Sequence, residues 1–411
     1  MMTGPIKRMA AAVAPPLRAF LHTESAGGVV LVAAAAAALV WANSPAAGGY
    51  AQFWEQKIAL GSGQASVSHD LRHWVNDGLM VLFFFVIGLE IKRELVVGEL
   101  RDRRAATLPA LAAVGGVVLP ALVYVVITGG GQAVRGWGIP MATDIAFAVG
   151  ILALLGRHAS AGAKLFLLSV AIVDDILAIG VIAIFYTDRI SLWWLLAAAG
   201  GLLAVAGLRR IGVRSPWGYV PVGVLVWFAT LESGVHATLA GVALGLLTPA
   251  RPVAGRNVLD DLVHSLHPVT AFLVIPVFAL ANAGVDLRGG VLGDAFGQSL
   301  TWAVIAGLVL GKIIGIAGIS YVALWRRWGT PPADMHHREF LGVAALGGIG
   351  FTVSLFITDL AFTDGSLIDQ AKVGILTGSA ASAVIGAVLL LTTPTGTGTT
   401  PALPTDGDRP A

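Results

Sequence analysis

Two aspartates, Asp174 and Asp175, stand side by side in the middle of an apolar run from Leu165 to Phe185. Adjacent carboxyls can trade protons or offer oxygen ligands to a hard cation. The run is long enough to cross a bilayer. A carboxylate at a helix centre costs roughly 2.5–3.5 kcal/mol, so the pair costs about 5–7 kcal/mol. The fourteen Leu, Ile, Val and Phe residues of the run return roughly 4–8 kcal/mol, at about 0.3–0.6 kcal/mol each. Insertion is near break-even, and ionisable groups kept inside a membrane at such cost mark a working site. Helix neighbours lie about 100° apart, so the two carboxyls cannot face one point and need different partners. One is expected to face an ion pathway and the other a cation. Lys312, inside the apolar run Gly311-Lys312-Ile313, is the obvious partner. Like charges this close titrate as a coupled system.

Two interrupted segments supply further buried polar groups. Gly136-Trp137-Gly138-Ile139-Pro140-Met141-Ala142-Thr143-Asp144 combines helix-loosening glycines and a proline with an acid, and Gly347-Gly348-Ile349-Gly350-Phe351-Thr352 is a similar break at a similar depth. Each lies in the middle of a three-segment set, 106–186 and 298–392. One set starts inside and the other outside, which makes an inverted repeat. Paired broken helices in corresponding halves point to a transporter's central site. Facing half-helix ends of like sign need compensation. Asp144 suits the positive ends; Lys312, read as the only cation deep inside a helix, suits the negative ones.

The elements that must hold these groups follow from composition. The chain has 411 residues, 56% hydrophobic and 12% charged, where a soluble domain has about 25% charged residues. With no cysteine, disulfides and thiolate metal sites are excluded. A net charge of +2, and scattered, gives no footprint for nucleic acid. The fold class expected is an all-α polytopic membrane protein. Its twelve spans lie near 21–42, 73–90, 106–128, 137–156, 163–186, 190–208, 216–231, 234–248, 262–283, 298–325, 340–361 and 370–392. With the N-terminus cytoplasmic, this count puts 19 basic residues at inner ends and loops and 6 (Lys57, Arg72, Arg135, Arg189, Arg288, Lys372) in outer ones, so both termini are expected inside. Residues 1–18 form a cytoplasmic lead, 19–392 the membrane domain, and 393–411 a Thr-, Gly- and Pro-rich tail expected to be disordered. Residues 54–68, with Gly61-Ser62-Gly63, read as a β-hairpin in the first outer loop. Its exposed edge is a candidate for pairing with a second copy.

The chain resembles the bacterial NhaA family of sodium/proton antiporters, from about Ala19 to Leu391. The likeness rests on strings in order. They are Ala42-Asn43-Ser44, Asn76-Asp77-Gly78-Leu79-Met80, Gly88-Leu89-Glu90-Ile91-Lys92-Arg93-Glu94-Leu95, Ala142-Thr143-Asp144-Ile145-Ala146-Phe147 and Val173-Asp174-Asp175. Then come Gly234-Val235-His236-Ala237-Thr238-Leu239-Ala240-Gly241, Ala281-Asn282-Ala283-Gly284-Val285, Gly311-Lys312 and the run from Gly347 to Thr352. That family is itself a type case of inverted repeats with discontinuous helices.

The resemblance implies that Asp175 is the principal sodium ligand and that Asp174 pairs with Lys312 when no ion is bound. Asp144 compensates the broken-helix ends, and Thr143 is an oxygen ligand beside it. It implies a pH response involving Glu90 and Glu94, four apart at the cytoplasmic end of a helix, and His236, His264 and His267. Read from the residues alone, the glutamates are ordinary interfacial charges, and two histidines three apart are weak evidence of a metal site. The chain departs from the family where some members carry a glutamate before the first of the paired histidines; here Val263 stands.

The expected activity is electrogenic, pH-regulated exchange of Na⁺, with Li⁺, for H⁺ across the inner membrane, two protons per sodium, by alternating access. No cofactor is implied. Two alternatives stand beside it. A sodium-coupled organic-solute symporter shares broken-helix architecture but wants a roomier or more basic site. An intramembrane aspartyl protease also needs two membrane aspartates, but Tyr-Asp and Gly-x-Gly-Asp contexts are missing at Asp144, Asp174 and Asp175.

Overall fold

The structure, a computed structural model, describes residues 26–60, 67–187, 190–213, 216–250, 257–332 and 334–393. Each of the twelve apolar segments is helical. The long spans are α1 (Ala26–Asn43), α4 (Arg103–Thr128), α6 (Ala161–Phe185), α7 (Leu192–Arg210), α10 (Val258–Asn282), α12 (Ser299–Trp325) and α15 (Gly365–Leu391). Between them lie α3 (Met80–Val96), α5 (Ile145–Leu155), and the short apolar helices α8 (Val220–Glu232) and α9 (Thr238–Leu247). A bent pair, α13 (His337–Leu346) and α14 (Phe351–Ala361), turns by 45°. Two short helices, α2 (Ala47–Trp54) and α11 (Val291–Phe296), sit in loops. The proposed lead, 1–18, and the tail from 394 onward lie outside the described residues, as does the tip of the hairpin.

The hairpin is present, with β1 (Lys57–Leu60) antiparallel to β2 (Val67–Asp70). It marks one end of the bundle, the hairpin end. Lys92, Arg93, Arg103, Arg104, Arg209, Arg210, Arg326, Arg327 and Arg338 fall at the helix ends and turns of the other, the basic end. Side chains such as Val126, Ile184, Leu203 and Trp193 point outward and are well exposed, as an apolar bilayer demands.

Between the ends, α4, the 132–155 segment and α6 run from the basic end out, back and out again. In contrast, α12, the α13–α14 pair and α15 start at the hairpin end and run the opposite way. The expected inverted order is thus traced by the chain. The two breaks differ in form. The half of the first towards the hairpin end is a 3₁₀ helix, Gln132–Met141, followed by extended Ala142-Thr143-Asp144. Tyr124 and Tyr186 hold that half in place: Tyr124 donates to the Ala133 carbonyl, and Tyr186 donates to the Arg135 carbonyl while accepting from Gly138 N–H.

Lys372 is not a loop residue but lies inside α15, only 4% exposed, so Lys312 is not the sole cation buried in a helix. The apolar run predicts a start near residue 370, but Asp364 caps α15 by accepting from Ser366 N–H and so starts the helix earlier. Wide π-helical turns, invisible to hydropathy, also occur at Trp74–Leu79, Thr270–Val274, Gly307–Gly311 and Ile313–Gly318. The last two flank Lys312.

Small residues set the helix spacing. α3 and α9 cross on Gly88, Gly241 and Gly245, where a Cβ on Gly245 would lie 2.6 Å from the Phe85 carbonyl oxygen. Gly180, on α6, faces open space. Gly245→Ala is therefore expected to cost about 1–3 kcal/mol and to lower the unfolding temperature of detergent-solubilised protein. Gly180→Ala is expected to be neutral or stabilising, because a glycine inside a helix is about 1 kcal/mol worse than alanine. Equal melting temperatures for the two variants would contradict the close-approach account.

Candidate functional site

The two breaks cross in the middle of the bundle. Asp144 N–H donates to the Ile349 carbonyl, and Ser354 Oγ donates to that of Ile139. Gly350 allows this approach; a Cβ there would stand 2.9 Å from the Ala142 oxygen. The crossing brings the N-termini of α5 and α14 together, positive end towards positive end. Asp144 lies between them, 3% exposed. Its Oδ1 accepts from Phe147 N–H (3.0 Å) in α5, and its Oδ2 accepts from Thr352 N–H (3.0 Å) and Thr352 Oγ1 (2.8 Å) in α14. One carboxylate thus caps two helices, satisfying orphan donors and opposing both dipoles. Thr352 belongs to a string the sequence marks as an interruption, but its role needs the crossing to become visible.

On α6 the acidic pair divides as helix geometry requires. Asp174 is fully buried, and its Oδ2 accepts from Lys312 Nζ at 2.5 Å. Lys312 Nζ also donates to Thr143 Oγ1 at 3.1 Å. Thr143 Oγ1 is 2.7 Å from both Asp174 Oδ2 and the Gly347 carbonyl, at the C-terminal end of α13. With Lys312 filling one of its lone pairs, the hydroxyl has a single proton for these two acceptors. Lys312 therefore meets the negative helix end through Thr143 rather than through a carbonyl of its own. Among the described residues Oδ1 of Asp174 has no hydrogen-bond partner.

Asp175 turns the other way, into a narrow cavity of about 50 Å³ that Thr143, Asp144, Glu90, His267, Thr270 and Thr352 also line. Among the described residues no donor bonds to its carboxyl. Asp174, Asp144 and Glu90 are the acids whose charges reach it, against Lys312. The surroundings are rich in hard oxygen and negative, the chemistry that accepts a small cation.

The remaining sequence-marked residues are dispersed. Glu90 reaches the cavity, with His267 Nε2 3.9 Å from its Oε1. Glu94, one turn on, instead accepts from Glu99 N–H and caps a 3₁₀ turn. His264 faces outward beside Asp260 and Asp261, away from His267. Among the described residues no cluster of three His, Cys, Asp or Glu could hold a metal. Val263 packs with Leu89 and Leu259 in a small apolar cluster between α3 and α10. His236 is far from all of these, its Nε2 2.5 Å from the Tyr186 carbonyl at the hairpin end of α6.

A crossed pair of broken helices around a carboxylate–lysine knot is the geometry that the comparisons with known proteins bear upon. The family profile described as Na+/H+ antiporter 1 matches residues 18–390. The chain belongs to this family. Its members are secondary transporters, not enzymes, so the protease alternative falls, and the antiporter assignment displaces the solute symporter. Similar curated proteins include the Na(+)/H(+) antiporter NhaA 3 of Frankia alni, 46% identical over 92% of this chain and 89% of the relative. The Na(+)/H(+) antiporter NhaA 1 of Erythrobacter litoralis is 47% identical, over 96% of this chain and 97% of the relative. The Na(+)/H(+) antiporter NhaA of Shewanella loihica is 46% identical, over 90% and 95%. As a member of this family the chain is a multi-pass inner-membrane protein.

The double cap makes a measurable demand on stability. Asp144→Ala strands three donors, each costing about 1–3 kcal/mol when left buried and unpaired. Asp144→Asn keeps one acceptor oxygen. Thermal unfolding in detergent should rank the native chain above Asp144→Asn and that above Asp144→Ala. An alanine variant as stable as the native chain would contradict the capping role.

Proposed function

We propose that this chain exports Na⁺, and Li⁺, in exchange for two protons per cation, with Asp175 as the principal ion ligand. The observation that carries the reading is the division of the acidic pair. Asp175 faces a cavity lined by oxygen ligands, while Asp174 is closed off on Lys312 and Thr143. A cation arriving at Asp175 displaces its proton. The added positive charge loosens the Asp174–Lys312 pair, which gives up the second. Thr143 and Asp144 stand at the same cavity, Thr143 as an oxygen ligand and Asp144 as the fixed counter-charge of the two helix ends. Two protons inward for one sodium outward moves net charge, and about 2.3 kcal/mol per charge per 100 mV then assists export.

In this reading the basic end is cytoplasmic, with both termini on that side. The cavity is then the inner approach to the site. Alternating access moves the crossed unit (α4 to α6 and α12 to α15) against α1, α3 and α8 to α10. Glu90 and His267 guard that approach and tune the response to pH. His264, Glu94 and His236 act less directly, since none of them touches the cavity. The hairpin edges of two copies pair to form a homodimer.

Asp175→Asn in proteoliposomes is expected to abolish sodium-dependent proton flux, and exchange persisting in that variant would overturn the assignment. Imposing a membrane potential tests the stoichiometry: equal rates at either polarity would exclude two-for-one exchange. His267→Ala should shift the pH profile of exchange and His264→Ala should leave it in place; the reverse order would remove the pH role given to the inner cavity.

A further inference from the structure

The hairpin end of the bundle holds a second polar cluster, half-buried at Asp359 and Asn76, that the exchange site does not use. Asp359 lies near the outer end of α14, eight residues beyond Phe351 and so about 12 Å further along that helix. Its Oδ2 accepts from Asn76 Nδ2 at 2.9 Å. Asn76 sits in the π-helical turn that leads into α3, a wide turn of the kind often found at working sites. Asn76 Oδ1 in turn accepts from Nδ2 of Asn282, fully buried at the end of α10, at 2.8 Å. The chain of bonds therefore crosses from the crossed-helix unit, through Asp359, to the helices packed around it, through Asn76 and Asn282.

Lys372 on α15 and Arg72 before α3 supply the counter-charges that reach Asp359. Lys372 is 4% exposed and, among the described residues, makes no hydrogen bond or close ion pair. Arg72 Nε is buried without a partner. The buried Lys372 and the half-buried Arg72 thus act on this carboxylate at a distance, while among the described residues Asn76 makes the hydrogen bond to it. Bonds so placed hold only while the two units are closed together at this end. At the other end the Asp175 cavity lies between the same units.

We infer that Asp359, Asn76 and Asn282 form an outer latch, whose bonds close the hairpin end while the exchange site is approached from the basic end, and which must part for the ion to leave. The inference rests on the alternating access proposed above. With the latch removed, the outer face opens more often.

The absence of cysteine makes an introduced thiol a unique probe. Ala283→Cys replaces a fully buried residue next to Asn282. Its labelling by a membrane-impermeant maleimide is measured in right-side-out vesicles, for the full chain and for variants carrying Asn76→Ala, Asp359→Ala, both, or Asp359→Asn. Each alanine variant is expected to speed labelling at least about fivefold, with the double variant no faster than either single one. Asp359→Asn, which keeps an acceptor oxygen, is expected to stay within about twofold of the parent. Labelling unchanged in both alanine variants would overturn the latch. An additive double variant would do so too, since the two groups would then act separately. Sodium-dependent proton flux measured in the same vesicles reports on the exchange reading independently. Its failure in the parent would remove that reading and leave the labelling comparison intact.

Discussion

Asp144 lies between two helix N-termini that would otherwise repel across the middle of a membrane. Each terminus carries roughly half a positive charge and up to four unpaired N–H groups. Lipid offers no partner to satisfy them. A single carboxylate accepting from Phe147 N–H, Thr352 N–H and Thr352 Oγ1 answers both helices at once. Everything else in the centre depends on that placement. Because the breaks can cross, Thr143 comes within reach of the Gly347 carbonyl, and Lys312 can stand where α13 ends. Asp144 is committed to three donors, and the proposed ion chemistry therefore falls to its neighbours.

The acidic pair shows how a helix turns adjacency into division of labour. One step along α6 rotates the side chain by about 100°, enough to put Asp174 against Lys312 and Asp175 into the cavity. The same carboxyl chemistry thus faces two environments. One is a closed pair with a lysine and a hydroxyl; the other is an opening lined by oxygen and other acids. A cation can reach the second without first breaking the first, and its charge is then felt by both.

Much of this was legible before any coordinates, because membrane insertion penalises charge so heavily that each buried polar residue is conspicuous. Asp144, Asp174, Asp175 and Lys312 stand out from their apolar runs, and their meeting follows from the paired breaks. What stayed hidden has physical reasons. Lys372 looked like a loop residue because it lies seven residues into α15, just beyond a polar start, Gly365-Ser366-Leu367-Ile368-Asp369-Gln370. π-helical turns around Lys312 leave no mark in hydropathy, since they change only the winding of the backbone. Thr352 and Asn76 are small polar residues whose importance comes wholly from partners 208 and 283 positions away. The histidine pair shows a limit of spacing: His264 and His267 are three apart, yet one edge of α10 meets the cavity and the other does not.

The inverted order of the two three-helix sets also explains why polar groups occur at both ends of this bundle but do different things. Opposed broken helices send one half-helix, α5, towards the basic end and the other, α14, towards the hairpin end, from a common origin at Asp144. A movement of the crossed unit therefore displaces the two ends in a coupled way. Opening beside α5 exposes Asp175, Glu90 and His267, while closure beside α14 lets Asp359 find Asn76. Such coupling needs rigid half-helices, and the double cap at their shared origin, together with the Gly350 crossing, ties them into one body. An antiporter must never open both ends at once, and in the proposed mechanism the rigid link that couples the ends is one carboxylate holding two helices by their N-termini.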